Sequence, residues 1–183
     1  MDRVLKTYEQ GNSILQIIKD VHLRNTNIDQ KTKFLEKYSP EVGKIKKVDK
    51  TYLNFVDGLT EKLENSLFLS LVASFEEELG DMIQTSIDEL SKHIDEEFKF
   101  EKNFQNQQAK FIKDRPRGLG ERYSFGIGSL DSRDRESLKE LKDKRDYLAH
   151  GSFTEAQKIS LDYEEAFHVI KTVLLKFSNN CTM

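Results

Sequence analysis

"LENSLFLSLVASFEEELGDMI", residues 63–83, carries the strongest periodicity in the chain. Leu63, Leu67, Leu71, Phe75, Leu79 and Met82 recur at steps of three and four, the spacing that lines one face of an α-helix. A second register, Leu69, Val72, Glu76, Leu79 and Ile83, runs beside the first. It turns Glu76 inward among apolar neighbours and leaves Glu77 and Glu78 facing outward. The helical pattern around this stretch extends from about Ile45 to Leu90, with Gly58 as the expected interruption.

Composition agrees with a helical reading. The chain has 183 residues, 37% hydrophobic and 33% charged, with 9 Gly, 2 Pro and no Trp, which suits an all-α protein better than a sandwich or barrel. This length holds one domain with a real core. The net charge of -3 excludes a bulk polyanion binder, so any nucleic-acid contact has to come from a local basic patch. One exists between Lys110 and Arg122, where Arg115, Arg117 and Arg122 stand among five bases and two acids. Cys181 is the single cysteine, nothing near the start resembles a signal peptide, and no apolar run approaches the roughly 18 residues of a membrane helix. The expectation is a soluble, cytoplasmic protein.

Toward the N-terminus, Val4, Tyr8, Leu15, Ile18 and Val21 keep helical spacing, although Gly11 weakens that helix by about 1 kcal/mol relative to Ala. A short helical piece follows around Phe34 and Leu35 and stops at Ser39 and Pro40. Toward the C-terminus, helical character extends through Ile94, Phe98, Phe104 and Phe111. It gives way to "DRPRGLGERYSFGIGSL", residues 114–130, with one proline and four glycines. A loop this long inside a domain is more often functional than decorative, and its arginines make it a candidate phosphate-holding surface.

"DSRDRESLKELKDKRDYLAHG", residues 131–151, then reads as a helix. Asp131 or Ser132 caps it, Leu138, Leu141 and Leu148 form its buried stripe, and Gly151 stands where the helix would end. A last helix opens at Ser160 or Asp162 and buries Tyr163, Phe167, Ile170, Leu174 and Phe177.

Arg145 falls on the apolar stripe between Leu141 and Leu148, and His150 stands beside Gly151. Five residues rotate a helix by a remainder of about 140°, so the two converge only at a helix end. An Arg and a His brought together suit attack by an RNA 2'-hydroxyl on its adjacent phosphate. The imidazole, ordinarily titrating near 6.5, moves the proton, and the planar guanidinium stabilises charge on the phosphoryl oxygens without a metal. The alternative is structural: a histidine favoured by the helix dipole and an arginine snorkelling to solvent. No His or Cys pair has zinc spacing, and there is no Walker or GxGxxG sequence, so neither a metal nor a cofactor is expected.

The motif "RDYLAHG", Arg145 to Gly151, closing one amphipathic helix and followed by another, resembles the Arg-x4-6-His motif of the HEPN superfamily. That resemblance implies an all-α domain on a four-helix bundle, covering about residues 60–178, with residues 1–58 as an N-terminal helical extension. It implies a metal-independent endoribonuclease of toxin or defence-effector type. RNA would be its substrate, a second copy of the chain its partner in a homodimeric cleft, and an antitoxin or defence-system protein a possible further partner. Arg145 and His150 would be the catalytic pair. Asp146, where the family often has Asn, would hold one of them in place, and Glu76 matches the polar residue that members place on an earlier helix near the arginine. Ser152 stands where members paired with a nucleotidyltransferase antitoxin carry tyrosine, which argues against that partnership. The alternative reading is a catalytically inert HEPN-like interaction module.

Overall fold

In a computed structural model, described for residues 1–24, 28–38, 48–97, 130–150 and 159–181, the chain is all-α. The helices among the described residues are α1 (Asp2–Arg24), α2 (Ile28–Tyr38), α3 (Val48–Glu97), α4 (Ser132–His150) and α5 (Tyr163–Cys181). Phe98, Phe104, Phe111, the glycine-rich stretch up to residue 129 and Gly151 lie outside the described residues.

The central element is α3, whose 50 residues extend about 75 Å at the α-helical rise. It packs against each of the other four helices, and α4 also packs against α5. Gly58 does not interrupt it. One glycine costs about 1 kcal/mol in a helix interior, too little to break a helix whose other residues are held by packing. Phe68, Leu71, Val72, Phe75, Leu79 and Ile83 are buried on α3. Burial of such side chains contributes about 1.5–3 kcal/mol each. The observed stripe is rotated slightly from the expected one: Phe68 is buried, while Leu63, Leu67 and Met82 are half-buried.

Both C-terminal helices start at side-chain caps. The Asp134 backbone N–H donates to Asp131 Oδ1 at 2.9 Å, opening α4. At α5, the Glu165 N–H donates to Asp162 Oδ1 at 2.8 Å, and the Asp162 N–H donates to Glu165 Oε2 at 2.9 Å. This reciprocal capping box satisfies donors that the helix itself leaves open. From there Tyr163, Phe167, Ile170, Leu174 and Phe177 are all buried, together with Ala166 and Val173.

Although α1 falls within the stretch set apart as an extension, it shares the main core. Val4 is fully buried, and Tyr8 stacks on Phe167 with ring centroids 3.8 Å apart. Tyr163 donates its hydroxyl to the Thr7 carbonyl at 3.1 Å, and Thr7 and Ser74 join their hydroxyls at 2.8 Å. Gly11 is buried where α1 meets Tyr163, and a Cβ there would stand 2.6 Å from the ring's Cζ. The acids after Phe75 also respond to α1. Glu78 was expected to face outward with Glu77, yet it is half-buried and pairs with the Met1 amino group, while Glu77 takes Arg3 at 3.1 Å.

Candidate functional site

On α4 only Leu138 and Leu141 are buried, and Leu148 is half-buried against the core. Polar contacts supply much of the docking of this helix. Lys176 of α5 donates to Asp131 at 2.8 Å and also to Asp134, which ties α5 to the start of α4. Further along, Lys144 donates to the Leu161 carbonyl just before α5, and its ammonium lies 5.0 Å from the Phe68 ring centroid. Burial lowers the Lys144 pKa, against the nearby charges of Asp162, Glu165 and Glu64.

Arg145 follows Leu141 by four residues, so it stands on nearly the same face and meets α3 at the edge of the core. Glu76 meets it from the other side. Its register neighbours Val72, Leu79 and Ile83 are buried, and its own side chain is 21% exposed. Arg145 Nη2 lies 3.1 Å from Glu76 Oε1, an ion pair that bridges α3 and α4. Arg145 Nη1 donates to Asp146 Oδ1 at 2.7 Å, and Lys142 Nζ donates to Asp146 Oδ2 at 2.9 Å. Three of the residues singled out in the sequence thus converge: Arg145, Asp146 and Glu76. Lys142 is the member that sequence reading passed over, and its signal was present as a Lys-to-Asp spacing of four on one helix.

The electrostatics of the group follow from its partial burial. Burial works to raise the Asp146 pKa, while the hydrogen bonds and charges of Lys142 and Arg145 outweigh it and leave the group below its ordinary value. Among these four side chains the two cations and two carboxylates balance in charge. A half-buried arginine with acidic partners on two sides has a fixed fork direction.

His150 is the last residue of α4 and is exposed. Among the described residues no hydrogen bond or ion pair joins it to Arg145. Arg115, Arg117 and Arg122 lie outside the described residues. Among the described residues there is no cluster of His, Cys, Asp or Glu suited to a metal, and no helix is long and apolar enough to cross a membrane. Two open grooves run elsewhere, one beside Lys176 and His168 and one beside Lys144 and Tyr163, and neither is lined by Arg145 or His150.

Comparison with known proteins gives no match to any family model, curated protein or solved structure. The functional reading therefore rests on the site's own residues and on the motif between Arg145 and Gly151.

Proposed function

We propose that this chain is a HEPN-like, metal-independent endoribonuclease of toxin or defence-effector type. The observation that carries the reading is the Glu76–Arg145 pair across α3 and α4, with an exposed histidine at the end of Arg145's own helix. In this reading Arg145 holds the scissile phosphate and stabilises its developing charge, Glu76 orients the guanidinium, Asp146 holds it while no phosphate is bound, and His150 transfers protons. The attacking group is the substrate's own 2'-hydroxyl, which forms a bond to phosphorus as the 5'-oxygen leaves. The proposal includes a cytoplasmic homodimer, since two-fold symmetry supplies a second histidine as acid where one serves as base. Arg115, Arg117 and Arg122 are proposed to contact RNA, and an antitoxin or defence-system protein is the proposed regulator.

The test is incubation of total RNA with wild type, Arg145→Ala and His150→Ala in EDTA. The expected result is cleavage by wild type alone, leaving 2',3'-cyclic phosphate and 5'-hydroxyl ends and failing where a 2'-deoxy nucleotide precedes the cut. Equal activity of all three proteins, or a requirement for magnesium, refutes the mechanism. One observation favours a second reading, an inert HEPN-like interaction module: the cluster's charges already balance, as they do in a purely structural ion-pair network. Absence of cleavage by every variant supports that reading.

A further inference from the structure

The charged cluster raises a question about how Arg145 would receive an anion. Bidentate binding of a phosphate uses two parallel N–H groups of the guanidinium. In this structure each terminal nitrogen is engaged by a carboxylate, Nη2 by Glu76 at 3.1 Å and Nη1 by Asp146 at 2.7 Å. Each of these carboxylates occupies an N–H that a phosphate could use and repels its charge, so binding is strengthened when one of them yields. Glu76 approaches from α3, so its retreat from Arg145 pulls a half-buried acid out of the α3–α4 contact. Asp146 stands on Arg145's own helix and already holds a second cation, Lys142, through its other oxygen at 2.9 Å. A rotation of the Asp146 side chain therefore releases Arg145 while the carboxylate keeps a charged partner.

We infer that Asp146 is an intramolecular competitor for phosphate at Arg145, handed over to Lys142 when an RNA phosphate binds. This inference rests on the phosphate role proposed for Arg145. It gives opposite signs to two neighbouring residues. Removing the competitor strengthens anion binding, whereas removing Lys142 leaves Asp146 with Arg145 as its remaining cation in this trio and weakens it. A merely structural network does not produce that pair of signs, because loss of either member loosens Arg145.

The experiment measures binding of a fluorescein-labelled RNA octamer, fully 2'-O-methylated so that it cannot be cut, to the full chain by anisotropy. Asp146→Asn is expected to bind about three- to fivefold more tightly than wild type, the scale of one partly exposed charged contact. Lys142→Met is expected to bind more weakly by a similar factor. Long-range charge is controlled by Asp143→Asn and Lys139→Met, which alter the same charges on α4 without touching the trio and are expected to shift affinity less than half as much. Circular dichroism and melting establish that each variant is folded, and Lys142→Met carries the test if Asp146→Asn is not. Unchanged or weaker binding by folded Asp146→Asn overturns the inference, as does unchanged or tighter binding by Lys142→Met, or controls that match the two variants. Arg145→Ala separates the layers. If it binds as well as wild type, the phosphate role of Arg145 fails. If it loses binding while Asp146→Asn gains nothing, the competitor role alone fails.

Discussion

Gly11 shows how a single residue can reverse its meaning between sequence and structure. On an exposed helix, replacing it with alanine stabilises by about 1 kcal/mol. Here the added methyl would press on the Tyr163 ring and disturb the hydroxyl that donates to Thr7. Gly11→Ala is therefore expected to destabilise by roughly 1–3 kcal/mol in denaturant unfolding, the cost of overpacking a filled contact. A stabilised variant would show that α1 shifts freely away from Tyr163. Burial of the Tyr163 phenol, reinforced by Tyr8, raises its pKa to about 12, so this contact keeps its proton well into the alkaline range. The sequence exposed Glu76 as an acid on an apolar register, because helical periodicity fixes which way a side chain points. Its partner was legible only through the motif on α4, since no local spacing connects residues 76 and 145. Lys144 and its contact with the Leu161 carbonyl were not legible at all, as a lysine on a charged helix gives no hint of a backbone acceptor on the next segment.

The helices differ in how they are held. A continuous apolar stripe docks α5, and five of its seven buried residues were readable because they recur at regular helical spacing, Ala166 and Val173 being the two not named. Only two residues of α4 are buried, and its start is fastened by Lys176 reaching Asp131 and Asp134. The Lys176 hydrogen bond, followed by the Asp134 N–H, lowers the Asp131 pKa from 3.8 to about 2. A carboxyl depressed in the folded state stabilises above its unfolded pKa and loses that contribution as pH falls through the folded value. Stability is thus expected to decline between about pH 4 and 2 through this group, and Asp131→Asn should flatten that part of the acid profile. Identical acid profiles for wild type and variant, followed by circular dichroism, would remove the cap from the account. The caps were readable to a choice of two at each start, Asp131 or Ser132 and Ser160 or Asp162, and the hydrogen bonds select Asp131 and Asp162. Gly58 misled for the complementary reason: local propensity is weak beside the packing of a long helix.

Across the molecule, α3 links the other described helices into one body, and α1 contributes Val4 to the buried core. The proposed homodimer is expected to form through the end of α4, bringing two His150 side chains near one cleft. Sedimentation at micromolar concentration checks this, and a monomer that still cleaves RNA would exclude the shared cleft. The all-α class was readable because composition and periodicity report on elements. The pairing of α1 with α5 was not, because its contacts join residues far apart in the chain. The Tyr163–Thr7 hydrogen bond spans 156 positions. That long tie has a consequence for biosynthesis. While the ribosome is still making residues 98–160, α1 and α3 have been synthesised but the aromatic and aliphatic face of α5 does not yet exist. Phe167 is then missing from the stack with Tyr8, and the bare side of α3 is a surface on which a holding chaperone can act. Folding of the core is therefore completed only after residues 163–181 have cleared the exit tunnel.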